Sequence, residues 1–311
     1  MTNEIYGIDY LRRRLADKQT RVLLRYKYYE MKNNAQDFSS LAPEKFKGLK
    51  ETVGWCAKAV DSLADRLQFD EFQNDEFDLS EIFLSNNQDI LIDSAVLSAL
   101  ISACSFVYIR EDNGYPRLQV IDGSNATGII DPVTNLLTEG YAVLERDSMG
   151  VVKTEAYFMA GMTEIYSHGV LVQRIPNAAP YALLVPIIYR PDAKRPFGHS
   201  RISRACIAYT QTALRTIKRS EVSAEFYSFP QKYVLGLSED AEFNNRLATI
   251  SSFLNFTKDG DGDHPIVGQF QQQSMTPYTE QLRTLASLFA GETGPVSYTH
   301  LRAHETAANL V

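Results

Sequence analysis

The chain has 311 residues, of which 44% are hydrophobic and 22% charged, and its formal net charge is −7. That length is enough to bury a full core and to form two domains. The negative charge argues against a general nucleic-acid binder, which holds phosphates with an excess of Lys and Arg. No apolar run is long enough to span a bilayer, and the polar start argues against a secretory signal. Cys56, Cys104 and Cys206 lie far apart in apolar surroundings, which predicts buried, reduced thiols and assembly in a cytoplasm.

The charge is distributed unevenly along the chain. Residues 61–93 contain ten acids and a single base, Arg66, whereas the first fifty residues contain eleven Lys or Arg and six Asp or Glu. Two interpretations stay open. The charged stretches are solvated faces, or they are complementary surfaces through which identical subunits dock.

The first hundred residues predict helices. Residues 8–33 combine spaced apolar residues with many bases, which is typical of an exposed scaffold helix, although such a helix can also bind a membrane or nucleic acid. A polar loop over 34–43 leads into a second helix from about Pro43 to Leu67. Residues 68–83 alternate Phe with acids and indicate a surface segment pinned by aromatic side chains. Residues 89–105 are rich in Ala, Ser and Leu and predict an interior helix.

From Phe106 the apolar period changes to two. The runs 106–110 and 117–121 flank Asn113-Gly114, a strong signal for a two-residue hairpin. Further short alternating runs, separated by polar turns, predict an antiparallel meander with one half-exposed face; they are 127–130, 140–145, 151–158, 162–166 and 170–175. The proline-rich residues 177–196 predict an extended connector, so the main boundary is placed near Pro196.

The longest predicted element is a helix from Ser200 to about Ser228. Ser200 or Ser203 can cap its start, and Pro230 cannot continue it. Its narrow apolar stripe suits packing against a neighbouring helix better than lying on a sheet. A core helix of an ordinary enzyme has the same pattern, so that alternative stays open. A strand (232–237), a short helix (240–256), a strand (266–270) and a returning helix (278–290) follow.

The best metal candidate is the polar loop 257–265. Asp259, Asp261 and Asp263 match the first three ligand positions of a calcium loop, but His264 stands where glycine is needed and Phe270 where glutamate is needed. The pattern therefore favours a flexible acidic turn. His168 and His199 are expected to serve in a turn or near a helix start, and no nucleotide-binding or nucleophile motif is present. We predict no catalytic residue, no cofactor and no metal.

Four segments resemble portal proteins of tailed bacteriophages. They are 195–204 (RPFGHSRISR), 223–236 (SAEFYSFPQKYVLG), 60–72 (VDSLADRLQFDEF) and 282–294 (LRTLASLFAGETG). The resemblance covers most of residues 1–294. It implies that the protein is not an enzyme and that its fold is α+β. The N-terminal helices and an antiparallel β meander would form a wing (1–196), followed by a first stem helix (197–229), a small α/β clip module (230–276) and a returning second stem helix (277–294).

The resemblance also implies partners and a location. About twelve identical subunits would form a ring at one vertex of the capsid of the virion, assembled in the bacterial cytoplasm, with no membrane partner. The ring would surround double-stranded DNA without reading its sequence, bind the terminase large subunit and later a head-completion adaptor, and contact capsid and scaffold proteins. Candidate subunit-interface residues are Tyr209, Arg215, Lys218, Arg219, Glu221 and Glu225. Candidate clip docking residues are Lys232, Tyr233, Lys258, Asp259 and Asp261.

Residues 295–311 depart from the portal pattern and resemble translated sequencing-adapter read-through, so we expect them to be non-native; a genuine C-terminus is the alternative. Two other functions stay open. One is a nucleic-acid-modifying enzyme with an unrecognised site, which a pocket joining His199 to Asp192 would favour. The other is a different self-assembling component of the phage head.

Overall fold

The computed structural model describes residues 5–33, 51–73, 75, 77–228, 232–235, 266–269 and 274–294. Helices combine with antiparallel strands, which confirms the predicted α+β class. The helices are α1 (Ile8–Tyr29), α2 (Trp55–Ala64), α3 (Leu79–Ser85), α4 (Gln88–Ser102), α5 (Arg204–Ser228) and α6 (Thr276–Thr293). The strands are β1 (Cys104–Asp112), β2 (Tyr115–Asp122), β3 (Ala126–Ile130), β4 (Leu137–Arg146), β5 (Val152–Met159), β6 (Met162–Ser167), β7 (Val170–Pro176), β8 (Leu184–Ile188), β9 (Lys232–Leu235) and β10 (Ile266–Gln269).

The described residues divide into two compact units. The first contains the described residues within 5–33, 52–210 and 289–294, and the second contains Glu51 and the described residues within 211–288. The long helix α5 and the returning helix α6 each contribute residues to both units.

A five-stranded antiparallel meander, in the order β3-β4-β5-β6-β7, forms the larger sheet of the first unit. This confirms the strand pattern predicted from alternation. The predicted hairpin also forms, between β1 and β2. Asn113 and Gly114 connect the two strands with φ angles of 55° and 81°, as a primed two-residue turn requires.

The predicted connector 177–196 contains a strand, so that part of the prediction was wrong. Residues Leu184–Ile188 form β8 and pair antiparallel with β1, giving a second sheet in the order β2-β1-β8. Pro186 lies opposite Phe106 in this pairing. Proline cannot donate to a ladder, but β8 is an edge strand and needs hydrogen bonds on one side only.

The two sheets enclose an apolar core. Phe106 on β1, Phe158 on β5 and Leu184 on β8 are fully buried there. Gly140 on β4 permits the close approach, because a Cβ atom added at this position would lie 3.0 Å from a methyl group of Leu184. The absence of a side chain at Gly140 therefore contributes directly to the packing of the two sheets.

Helix α1 covers the opposite face of the meander. Leu11 and Leu15 of α1 form a second core with Tyr141, Val143 and Tyr157, whose side chains alternate with those facing the other sheet. The meander is therefore buried on both faces where these layers overlap, instead of being half-exposed as expected.

A third core joins the helices of the first unit. Cys56, Ala59 and Val60 of α2 pack with buried residues of α1, α4 and the beginning of α5. Helix α2 begins at Trp55, after Gly54. Its predicted start near Pro43 lies outside the described residues, and residues 51–54, which were also predicted to be helical, are not. The aromatic segment contains the short helix α3, which periodicity missed, and the Asp75 carboxylate accepts hydrogen bonds from two backbone N–H groups at its start.

Candidate functional site

The two long helices run antiparallel in the second unit. Thr216 Oγ1 on α5 donates to Gln281 Oε1 on α6 at 3.2 Å. Ser223, about two turns later on α5, has its Oγ 2.8 Å from the Oη of Tyr278, about one turn earlier on α6. Because residue numbers rise on one helix as they fall on the other, α5 leads away and α6 returns beside it. This is the neighbouring-helix packing that the narrow apolar stripe of the long helix predicts.

A pair of strands lies between these helices in the chain. Lys232 of β9 pairs with Gln269 of β10, and Leu235 pairs with Ile266, so the two strands are antiparallel. In chain order, an antiparallel strand pair therefore lies between two antiparallel helices. The predicted helix at 240–256 and the polar loop 257–265 lie outside the described residues.

The beginning of α5 and the end of α6 are joined inside the first unit. Ser203 caps α5 by accepting a hydrogen bond from the Cys206 N–H at 3.2 Å, as expected for one of the two predicted capping serines. The Ser203 hydroxyl donates to Glu292 Oε1 at 2.7 Å, and Arg201 donates to the carbonyl oxygen of Thr293. Side chains just before the start of α5 therefore bind directly to residues at the end of α6.

The predicted interface residues on α5 differ in exposure. Arg219 and Glu221 are exposed, whereas Tyr209 and Arg215 are half-buried. Lys218 is only 3% exposed, so its side chain is withdrawn into the subunit. Glu225 lies on the last turns of α5, Lys232 and Tyr233 lie on β9, and the remaining clip candidates Lys258, Asp259 and Asp261 lie outside the described residues.

His199 and Asp192 meet on the surface of the first unit. His199 Nε2 lies 2.6 Å from Asp192 Oδ2, and Arg195 Nη1 lies 3.3 Å from His199 Nδ1. A guanidinium can only donate, so Nδ1 accepts and Nε2–H donates to Asp192. Two hydrogen bonds lower the pKa of Asp192: the larger effect comes from His199, and the next from the backbone N–H of Arg195. Both ring nitrogens are engaged and the two side chains are 39% and 49% exposed, an arrangement that stabilises a surface turn.

Two buried carboxylates anchor the beginning of the chain to the meander. Glu139 accepts hydrogen bonds from the backbone N–H groups of Tyr6 and Gly7, at 2.8 and 2.9 Å, and from Tyr157 Oη at 2.5 Å. Its side chain therefore satisfies N–H groups just before α1, which a helix start leaves without internal partners. Burial and the bond to Glu139 raise the pKa of Tyr157.

Glu155 makes the second anchor, one strand away. Its carboxylate accepts from Arg12 Nη2 and Tyr141 Oη, both at 2.5 Å, and Glu155 is 4% exposed. The Glu155 bond is the largest cause of the raised pKa of Arg12, which stays charged, and burial followed by the same carboxylate raises the pKa of Tyr141.

Sequence reasoning missed these anchors although a signal was present. The pattern Glu-x-Tyr occurs at 139–141, 155–157 and 164–166, once in each of three neighbouring strands. Alternation places both residues of each repeat on one face of the sheet. The third repeat is also bonded, since Glu164 accepts from Tyr166 Oη at 2.7 Å and from Arg174 Nε at 2.9 Å.

Two other kinds of site are absent from the described part of the chain. No helix there is long and apolar enough to cross a bilayer. No group of three or more His, Cys, Asp or Glu side chains there is placed to hold a metal ion. The calcium-loop candidate at 257–265 lies outside the described residues.

Comparison with known proteins finds a similarity to a phage portal protein. The chain is 22% identical over 307 residues to the portal protein of Mycobacterium phage L5, a match that covers 90% of this chain. The chain spans about 62% of the length of that relative. No family model matches the sequence.

Proposed function

We propose that the protein is a portal subunit, whose function is to build a ring rather than to catalyse a reaction. The observation that carries this proposal is the nested α5–β9–β10–α6 arrangement, in which a helix leads away, a strand pair follows and a second helix returns beside the first. In this proposal residues 1–196 form the wing, α5 and α6 form the stem, and 230–276 form the clip.

The proposed ring needs two different faces on each subunit, because head-to-tail contacts close only when one face complements another. Arg219 and Glu221 are exposed on α5 and carry opposite charges two positions apart. Side chains two residues apart point to different sides of a helix. They are therefore placed to contact two different neighbours, which supports them as interface residues, while the buried Lys218 contributes inside its own subunit.

The proposed partners follow from the ring. The ring, of about twelve subunits, lies at one capsid vertex of the virion, binds the terminase large subunit during packaging and then a head-completion adaptor. Double-stranded DNA passes through without sequence recognition. A net charge of −7 suits this passage, since a surface that neutralised many phosphates would hold the DNA instead of letting it slide.

Electron microscopy and sedimentation of the purified protein test the proposal. Closed rings of uniform size are the expected result. A protein that stays monomeric at micromolar concentration and never forms rings would contradict it. The double charge reversal R219E/E221R tests the proposed interface and should reduce ring formation. R146E is the control and should not, because Arg146 is also exposed but lies on β4.

A second candidate, a nucleic-acid-modifying enzyme, would depend on the His199–Asp192 contact. Its geometry argues for a structural role, because Asp192 and Arg195 of the same turn engage both ring nitrogens. Incubation with double-stranded DNA and divalent cations tests this candidate. DNA cleavage that disappears in H199A and persists in H168A, a change at another exposed histidine, would support the enzyme over the portal.

A further inference from the structure

A cavity rich in positive charge lies in the first unit, between α1 and the segment that follows β8. Its volume is about 340 Å³, and its walls include residues of α1, the beginning of β1 and the segment 194–198. Six basic side chains line it: Arg14, Lys18, Arg21, Arg25, Lys194 and Arg195. The four on α1 are spaced by four, three and four positions, so they form a single stripe along one helix face.

No carboxylate side chain is among the residues that line this cavity, in a protein whose net charge is −7. The electrostatic consequences are visible at Lys18. Burial, followed by the charges of Arg14 and Arg21, lowers the pKa of Lys18 to about 8. Burial and the charge of Arg21 also lower the pKa of Arg25. Like charges are therefore held together at a cost in free energy.

Packing inside the subunit accounts for part of this cluster only. The guanidinium of Arg14 and the ammonium of Lys18 lie over the ring of Phe197, at 5.5 and 5.1 Å from its centre, and Arg25 donates to the carbonyl oxygen of Ser102 at 3.0 Å. None of these partners carries a negative charge. In addition, Arg14 Nε is shielded from solvent and has no hydrogen-bond partner among the described residues.

We propose that this cavity is an anion-binding site that takes a polyvalent phosphate. Four guanidinium groups supply planar pairs of N–H donors, which match two phosphate oxygens at once, and the two lysines add point charges. The volume lies at the small end of ordinary ligand pockets, which suits a compact anion such as pyrophosphate.

Charge favours phosphate over the carboxylate of another protein. A carboxylate carries one negative charge, whereas a phosphate group carries about 1.5 to 2 at neutral pH and a diphosphate carries more. Six cations around one small cavity are better balanced by the higher charge. The proposal goes beyond the portal assignment and does not depend on it, since either can fail while the other stands.

Calorimetric titration of the purified protein with pyrophosphate at low ionic strength tests the site. We expect saturable binding that weakens with added salt, because the attraction is electrostatic. The R21A substitution should weaken it about tenfold, the loss expected for one charge-assisted hydrogen bond. R13A is the matched control: Arg13 is exposed on the same helix but does not line the cavity, and its affinity should stay within about twofold. Circular dichroism checks that both variants fold.

Phosphorus-31 resonances of pyrophosphate, titrated with the unmodified protein, give a second measurement that needs no variant. Two further probes identify the source of the phosphate and the competing ligand class. If duplex DNA competes with pyrophosphate and R21A weakens the binding of both, the site is assigned to nucleic-acid phosphates. If pyrophosphate binds and DNA does not, the site is assigned to free anions. Absence of saturable pyrophosphate binding would overturn the proposal, as would binding only of a peptide of residues 68–81, which would assign the cavity to carboxylates of a second copy.

Discussion

Replacing Glu155 with glutamine tests whether a buried charge anchors α1 to the meander. The substitution keeps the shape of the side chain and removes the charge that Arg12 and Tyr141 contact at 2.5 Å. Breaking a fully buried ion pair costs about 3–5 kcal/mol. The Arg12 side chain is 30% exposed and water can solvate it after the change, which reduces the cost. We therefore expect the free energy of unfolding to fall by about 2 kcal/mol.

Urea unfolding followed by tryptophan fluorescence measures this loss, because Trp55 is the single tryptophan of the chain and lies in the same unit. E145Q is the matched control. Glu145, on the neighbouring strand, also forms an ion pair, with Lys153 at 2.7 Å, but both side chains are about half exposed. Its loss should leave the unfolding midpoint almost unchanged. Equal midpoints for E155Q and E145Q would refute the idea that burial makes the Glu155 contacts strong.

Three further predictions concern packing, protonation and thiol reactivity. The G128A substitution should lower the free energy of unfolding by about 1–3 kcal/mol, because its Cβ atom would lie 2.5 Å from the carbonyl oxygen of Glu139; urea unfolding measures this. The folded protein should gain stability relative to K18M as pH rises from about 8 to 10.5, because over that range the unfolded chain holds a proton on Lys18 that the folded chain has lost. Burial raises the pKa of Cys56 to about 12, so a thiol reagent at pH 8 should label Cys56 only after unfolding, as mass spectrometry would show.

Each of these predictions has an outcome that contradicts it. An alanine at Gly291, where an added Cβ meets no atom within 4 Å, is the control for G128A, and equal losses at the two sites would argue against the close contact. A stability difference between wild type and K18M that stays constant from pH 8 to 10.5 would show that Lys18 keeps its ordinary pKa. Rapid labelling of Cys56 in the folded protein would show that its thiol is accessible.

Local patterns in the sequence were enough to predict much of the first unit. Alternation located the strands of the meander, and Asn113-Gly114 located the hairpin, because both signals depend on neighbouring residues only. Strand β8 was missed because Pro186 and Pro191 are typical of a connector, and only its position at a sheet edge makes a proline there acceptable. Helix α3 was missed because its start depends on a cap, from Asp75, and not on periodicity.

The anchors and the basic cavity could not be predicted in the same way, because they depend on contacts between distant segments. The bases of residues 8–33 were interpreted as the exposed side of a scaffold helix. The segment around Phe197 covers that side, and this contact is not encoded in the spacing of residues on α1. For the Glu-x-Tyr repeats, the pattern predicts a shared face, but not that α1 lies on it.

The anchoring of α1 has a consequence for the synthesis of the protein. Gly7 binds the carboxylate of a residue that is 132 positions later in the chain. At translation rates of about 5–20 residues per second, that residue is added roughly 7 to 26 s after Gly7. Throughout this interval the apolar stripe of α1, with Leu11 and Leu15, has no native sheet to cover it. The nascent chain should therefore depend on chaperones early, and slower translation should increase that dependence.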